Sequence, residues 1–291
     1  MATKKPTKTV KKTTVKKPVV AKSKKPTVNI VVATAKKLLL CNGKPIQSVP
    51  FVSTLVAEFI GTFLFVALFF AITVSGYPLF VAFALIGIVL FTGAQVNPAI
   101  TIASWITRKM CSAYAIGHLF AQAMGATAAW LVLTTYLDTT KSAVDDLLAD
   151  SGTSILAAAG FVGEKAVGKE WYVFFAEAIG AMILAFGFAA AVRAGKKALN
   201  SAVAYGFATL IALTVAGSLT AIFLSASGTS LTFLNPVLAI VANGVSWSMW
   251  PIAIYIVAPI IGAIIGFVIY DAIAKQSCEC DDCDCDCNCC K

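Results

Sequence analysis

Apolar residues gather along the chain into six long, nearly uninterrupted runs, at roughly 52 to 72, 74 to 92, 112 to 137, 171 to 192, 200 to 224 and 249 to 271. None alternates apolar and polar positions over about ten residues, as a membrane-spanning strand would. Each approaches the roughly 20 residues an α-helix needs to cross a hydrocarbon layer, and each is apolar all round. A helix satisfies its own backbone in lipid, where water cannot. The pattern predicts an all-α membrane protein with six transmembrane helices.

Two further apolar stretches, about 97 to 107 and about 235 to 246, are too short to span. Each opens on the same theme, Asn97-Pro98-Ala99 and Asn235-Pro236-Val237. Asn is a favoured N-cap, and Pro is tolerated at the first helical position because its missing N–H would be unpaired there anyway. Each stretch is therefore read as a short helix starting at its Asn. The leading spans of the two halves match as well: Ala57-Glu58-Phe59-Ile60-Gly61 recurs as Ala176-Glu177-Ala178-Ile179-Gly180. Three spans per half turn the second copy upside down relative to the first. The two half-helices then enter from opposite faces, and their N-termini meet near the midplane.

Composition sharpens this picture. Of 291 residues, 59% are hydrophobic and 13% charged, and the mean hydropathy is +0.85. That balance excludes an ordinary cytosolic enzyme and a disordered chain. The net charge of +9 is a sum over unlike regions: residues 1–47 hold 13 Lys and no acid, while residues 275–291 hold five acids and seven of nine Cys. The chain divides accordingly into a basic tail (1–47), a channel-sized core (48–274) and an acidic, Cys-rich tail (275–291). Within the core, Arg108, Lys109, Arg193, Lys196 and Lys197 fall on the side of both tails, and the acid-rich stretch 138–170 falls on the other. Short Lys- and Arg-rich loops stay cytoplasmic, so both termini are expected there. The first 27 residues lack the apolar stretch of a cleavable signal. Residues 28–40 read as an irregular or interfacial lead-in.

The paired tripeptides in an inverted repeat resemble the aquaporin or major intrinsic protein family. AEFIGTF (57–63), GAQVNPAITIA (93–103), AQAMGA (121–126) and APIIGA (258–263) are similar to that family's motifs, and the likeness covers roughly residues 51–272. It implies six transmembrane helices plus two pore half-helices, passive conduction of water or small uncharged solutes such as glycerol, ammonia or hydrogen peroxide, no required cofactor, and a homotetramer. Members usually carry an Arg directly after the second tripeptide; here that position is Leu238, and Val237 replaces the usual Ala. By the family's spacing, Tyr77, Phe223 and Thr232 complete the selectivity filter. A filter of Tyr77, Phe223, Thr232 and Leu238 is apolar and uncharged, which puts orthodox water selectivity in question.

The physics of such a site is simple. Each half-helix aims unpaired N–H groups and about half a positive charge at the midplane, which repels cations. The Asn97 and Asn235 amides are expected to donate to a passing solute, with carbonyls of 93–96 and 232–234 as acceptors. Glu58 and Glu177 are ionisable residues inside spans, where function is the default reading. Their recurrence in both halves points instead to a structural role, accepting hydrogen bonds from the irregular pore loops, with Gln95 and Gln122 in the same scaffold. His118 reads as a packed polar residue. The chain offers no carboxylate pair, nucleophile-base set or phosphate loop, so no enzyme is expected.

The tails carry separate expectations. Lys-rich and without aromatics, the first suits anionic lipid or, less specifically, nucleic acid phosphates. The second, Cys278, Cys280, Cys283, Cys285, Cys287, Cys289 and Cys290 interleaved with acids, suits Zn or Cu(I). The alternative to a channel is a non-conducting scaffold of the same fold that acts through these tails.

Overall fold

The computed structural model describes the backbone of residues 40–41, 44–45, 48–72, 78–148, 168–194, 198–224, 232–241, 245 and 248–276. Side chains are described within 50–69, 78–135, 168–193, 198–222, 232–241, 245 and 248–274. All of these residues belong to one unit, Leu40–Lys291. Ahead of the helices lies a short antiparallel hairpin, β1 (Leu40–Cys41) paired with β2 (Lys44–Pro45). The first half then runs α1 (Ser48–Ile72), α2 (Leu79–Thr92), the half-helix α3 (Pro98–Ile106) and α4 (Ser112–Leu148). In the second half come α5 (Glu170–Ala194), α6 (Ala198–Leu224), the half-helix α7 (Pro236–Val241), and α8 (Met249–Ile252). Helix α8 passes through a π-helical stretch (Ala253–Val257) into α9 (Ala258–Gln276).

Five helices among the described residues are long and apolar enough to cross a membrane, and α2 is a shorter apolar helix of 14 residues. The span expected from about 74 therefore begins as a helix only at Leu79, after Pro78, whose ring suits a helix start. Gly93 ends it in the left-handed conformation, φ 70°, with its N–H bonded to the Val89 carbonyl at 2.8 Å. Helix α4 departs the other way: it continues through Asp138 to Leu148, a stretch the charge pattern assigns to a connection. Polar side chains do not end a helix that has left the hydrocarbon.

The packing follows the internal repeat. Helix α1 packs on α4 as α5 packs on α9, and α1 packs on α2 as α5 packs on α6. Each half-helix rests on the third span of the other half, α3 on α9 and α7 on α4. The halves are thus interlocked. Matching glycines permit the two tightest crossings: a Cβ at Gly125 would strike the Phe59 carbonyl oxygen, and one at Gly262 would strike that of Ala178. Phe59 and Ala178 occupy the same place in the repeated motif, so one packing solution is used twice. Gly61 and Gly180, two residues further on, leave room for Val96 and Leu234 of the pore loops.

Outward faces are apolar, with Phe83, Phe91, Phe120, Val132 and Ile222 more than half exposed. Trp171 lies against Trp250 with ring centroids 4.9 Å apart, and Phe174 and Phe175 adjoin it at the same ends of α5 and α8. Amphipathic rings collect at such a membrane-water boundary. On the opposite face Lys109 donates to Asp271 at 2.6 Å, tying the turn after α3 to the end of α9. Cys111 in the same turn is disulfide-bonded.

The glycine crossings generate a stability prediction. Gly262→Val in α9 should destabilise the protein by about 1–3 kcal/mol through overpacking against backbone, whereas Gly87→Ala, with nothing within 4 Å of its Cβ, should be neutral. Thermal unfolding of both variants in detergent decides it; equal midpoints would refute the crossing argument.

Candidate functional site

Two loop segments with no secondary structure, 94–97 and 232–235, lie largely buried inside the protein, where their N–H groups have little water to bond. The two spans' acids meet that need. Glu58 in α1 accepts from the Gln95 and Val96 N–H groups at 2.6 and 3.1 Å. Glu177 in α5 accepts from Phe233 and Leu234 N–H, both at 2.8 Å. Each carboxylate therefore receives two consecutive backbone donors, one and two residues before its loop's Asn. Val96 and Leu234 both sit at φ 52°, a left-handed conformation that costs a branched side chain on the order of 1–3 kcal/mol. The carboxylate bonds stabilise that bend.

At the loop ends the two Asn residues hold each other's half in place. The Asn97 side-chain oxygen accepts from Ala99 N–H at 2.9 Å, and that of Asn235 accepts from Val237 N–H at 3.1 Å, so each caps its own half-helix. Their amide nitrogens cross over: Asn97 donates to the Leu234 carbonyl at 3.0 Å and Asn235 to the Val96 carbonyl at 2.9 Å. One of the two N–H groups of each amide is thereby used internally. The expected acceptors are also committed in part. Val96 and Leu234 carbonyls receive the Asn donors, and the Gln95 carbonyl receives the Tyr205 hydroxyl at 3.0 Å.

Around this frame the halves differ. In the first, Gln122 donates to Glu58 at 2.9 Å and to the Thr101 hydroxyl at 3.0 Å, and Thr101 in turn donates to the Gln95 side chain at 2.8 Å. His118 places Nδ1 3.3 Å from Glu58, without the angle of a hydrogen bond. In the second half the places of Gln95 and His118 are taken by Phe233 and Tyr255, whose rings meet edge to face at 5.2 Å.

Between the Asn pair and the spans lies a cavity of about 20 Å³, lined from both halves by Asn97, Asn235, Leu238 and Tyr205 among others. That volume holds about one water molecule. Leu238 lines the cavity and is 1% exposed. Thr232, the first described residue of the second loop, is buried. Tyr77 lies outside the described residues, and Phe223 belongs to α6 with its side chain outside them. The seven tail cysteines proposed for metal also fall outside; among the described residues no cluster of three metal-ligating side chains occurs. Sequence reasoning missed Phe65, Phe69, Phe233, Tyr205 and Thr209, all on the cavity wall. Phe65 and Phe69 sit seven and eleven residues after Glu58 on the same face of α1, a spacing that a search outward from the acid would have found.

An inverted repeat of apolar helices whose two half-helices abut at a buried, solvent-sized cavity defines an integral, multi-pass membrane protein with a central pathway. Residues 45–270 match the model of the major intrinsic protein family, and the chain belongs to that family. It is 27% identical over 196 residues to Aquaporin AqpM of Methanothermobacter thermautotrophicus, covering 64% of this chain and 69% of that protein. The same identity and coverage hold for Aquaporin AqpM of Methanothermobacter marburgensis. The fold is similar to the X-ray structure of the aquaglyceroporin from Plasmodium falciparum, with a TM-score of 0.55 and 18% identity over 78% of this chain and 98% of that one.

The loop geometry predicts unequal effects at Glu177. Removing the acceptor in Glu177→Ala leaves two buried N–H groups unpaired, at roughly 1–3 kcal/mol each. Glu177→Gln, which keeps one acceptor oxygen, should lose about half as much. Unfolding midpoints in detergent measure this, and an Ala variant as stable as wild type would show that the carboxylate is not what holds the loop.

Proposed function

We propose that the chain is a passive channel for water and small uncharged solutes, conducting between the two half-helix N-termini through a pathway without the family's filter Arg. The reading rests chiefly on the Asn97 and Asn235 amides. Each has one N–H fixed by the opposite loop and a second that faces a cavity sized for one water. A water whose oxygen accepts from both fixed donors has no lone pair left for its neighbours in the file, so it can donate to them but not accept from them, and no proton is relayed through it. That orientation, together with the positive helix ends, opposes proton and cation passage. The relatives' names, aquaporin and aquaglyceroporin, agree with a solute of this class. We propose no enzymatic activity, in keeping with membership of the major intrinsic protein family.

The proposed setting is a lipid bilayer with both termini cytoplasmic, and a homotetramer as the family membership suggests. For the tails we keep the sequence-based assignments: anionic lipid or nucleic acid for 1–47, Zn or Cu(I) for the cysteines of 275–291. The runner-up, a non-conducting scaffold of the same fold, differs in one measurable respect.

Light scattering from proteoliposomes under sucrose, glycerol and urea gradients separates the two. Wild type should raise water permeability above empty vesicles. Asn97→Asp sets a carboxylate against the Leu234 carbonyl in place of a donor and should lower the rate roughly tenfold or more. Wild-type vesicles no more permeable than empty ones, to water or to either solute, would leave the scaffold reading standing and remove the channel.

A further inference from the structure

Behind the first pore loop, two buried polar side chains carry atoms that bond to no described residue. His118 in α4 is 7% exposed, and neither of its ring nitrogens has a hydrogen-bond partner among the described residues. Gln122, one turn further along the same face, spends its amide hydrogens on Glu58 and Thr101 and leaves its oxygen without a donor. The acid beside them is also incompletely used. Its Oε2 accepts from Val96 N–H and Gln122, whereas among the described residues Oε1 accepts from Gln95 N–H at 2.6 Å and has His118 Nδ1 at 3.3 Å. A carboxylate offers about four acceptor sites, so one on Oε1 is open next to the ring. The second half fills this place differently: His118 and Tyr255 each stand seven residues before their span's packing glycine, Gly125 and Gly262. An imidazole ordinarily titrates near neutral pH, and a phenol does not.

The surroundings offer an imidazolium one counterion. Of the helices packed on α4, α1 contributes Glu58, while α3 and α7 contain no titratable residue. On α4 itself the nearest such groups are Tyr114, whose ring meets that of His118 at 6.1 Å, and those from Tyr136 onward, about 27 Å further along. Tyr205 of α6 is bonded to the Gln95 carbonyl, and in the turn before α4 Lys109 is paired with Asp271 beside an exposed Arg108. Helices α1 and α4 start on that same face, since Phe51 meets Tyr114 at 5.1 Å and Phe59 meets Gly125 further in. From those starts His118 lies about 9 Å along α4, counted from Ser112, and Glu58 about 15 Å along α1, counted from Ser48. A proton arriving from the Lys109 face reaches the ring before the acid.

We propose that His118 is a positioning residue that makes the first pore loop respond to pH: protonated from the Lys109 face, it pairs with Glu58 and weakens that acid's hold on the loop, which lowers conduction. This rests on the channel reading above. A second ring proton makes both nitrogens donors, and a turn of the ring brings Nδ1 onto the open site of Oε1. A carboxylate that shares its charge with an imidazolium accepts less strongly from the neutral N–H on the same oxygen. That N–H belongs to Gln95, next to Val96, whose φ of 52° the carboxylate bonds maintain and whose carbonyl receives the Asn235 amide. Acid therefore loosens the first loop and its bond across the repeat. The second loop, with Tyr255 in the corresponding place, is untouched.

The test uses full-length protein made without a histidine tag, so that His118 is the sole imidazole. In proteoliposomes, wild-type water permeability should fall roughly threefold or more between about pH 7.5 and about pH 5.5, a range that brackets the ordinary imidazole titration. His118→Phe and His118→Tyr, the second copying the residue of the other half, should give nearly the same permeability at both pH values, whatever their absolute rates. Phe91→Ala on the outer face of α2, 87% exposed, should keep the wild-type ratio. On the protein itself, the single imidazole signal in ¹⁵N-histidine NMR should titrate over the same range. A wild-type permeability that does not fall, a fall that persists in both His118 variants, or an imidazole signal that does not titrate overturns the assignment. Vesicles no more permeable than empty ones at either pH, for wild type and variants alike, overturn the channel reading instead.

Discussion

Two stretches of irregular backbone cross the interior of this protein at a depth where lipid supplies no hydrogen bonds, and the rest of the structure depends on satisfying them. Glu58 and Glu177 do so from neighbouring spans, each taking two consecutive N–H groups of one loop. The loops in turn hold the Asn residues whose amides bond across the repeat axis. Neither half can close its own loop: the acid comes from within the half, but the carbonyl that receives the Asn donor comes from the other. This reciprocity explains why the half-helices pack on the opposite half's third span, and why Gly125 and Gly262 must be small where those spans approach α1 and α5.

From that frame follows a division of labour. The strained residues Val96 and Leu234 turn the chain so that a carbonyl faces the opposite Asn while the next residue begins a helix. The helix ends bring partial positive charge to the midplane without placing an ionised side chain there. The ionised or ionisable groups stay behind the pathway: Glu58 is occupied by Gln122 and two loop N–H groups, and Glu177 by two. Each of the two buried acids thus holds two consecutive N–H groups of an irregular loop in place.

The halves share a skeleton and differ in lining. Where the first loop is surrounded by Gln122, Thr101 and His118, the second is surrounded by Phe69, Tyr255 and Leu238. The backbone hydrogen bonds are the same on both sides, so the side chains are free to diverge, and the difference falls on the half where the guanidinium is replaced by Leu238. Phe233 shows this on one residue: its N–H bonds to Glu177 while its ring packs on Phe69 and Tyr255.

Much of this was legible before any coordinates. Apolar runs near 20 residues long, the repeated Asn-Pro step and the repeated Ala-Glu-x-Ile-Gly step determined six spans, two half-helices and their inversion, because those features act through local geometry and through the thickness of the bilayer. The recurrence of Glu58 and Glu177 at matching places was also readable, though not which loop N–H groups each receives. The start of α2 at Leu79 and the extension of α4 to Leu148 were not, since beyond the hydrocarbon the apolar pattern stops marking helix limits. Nor was the pairing of Phe233 with Phe69, 164 positions apart in the chain. Only the folded arrangement brings one loop against one helix face, and only there do spent hydrogen bonds on the Gln95 side and bare rings on the Phe233 side become distinguishable, because which polar atoms remain available depends on partners that local sequence does not specify.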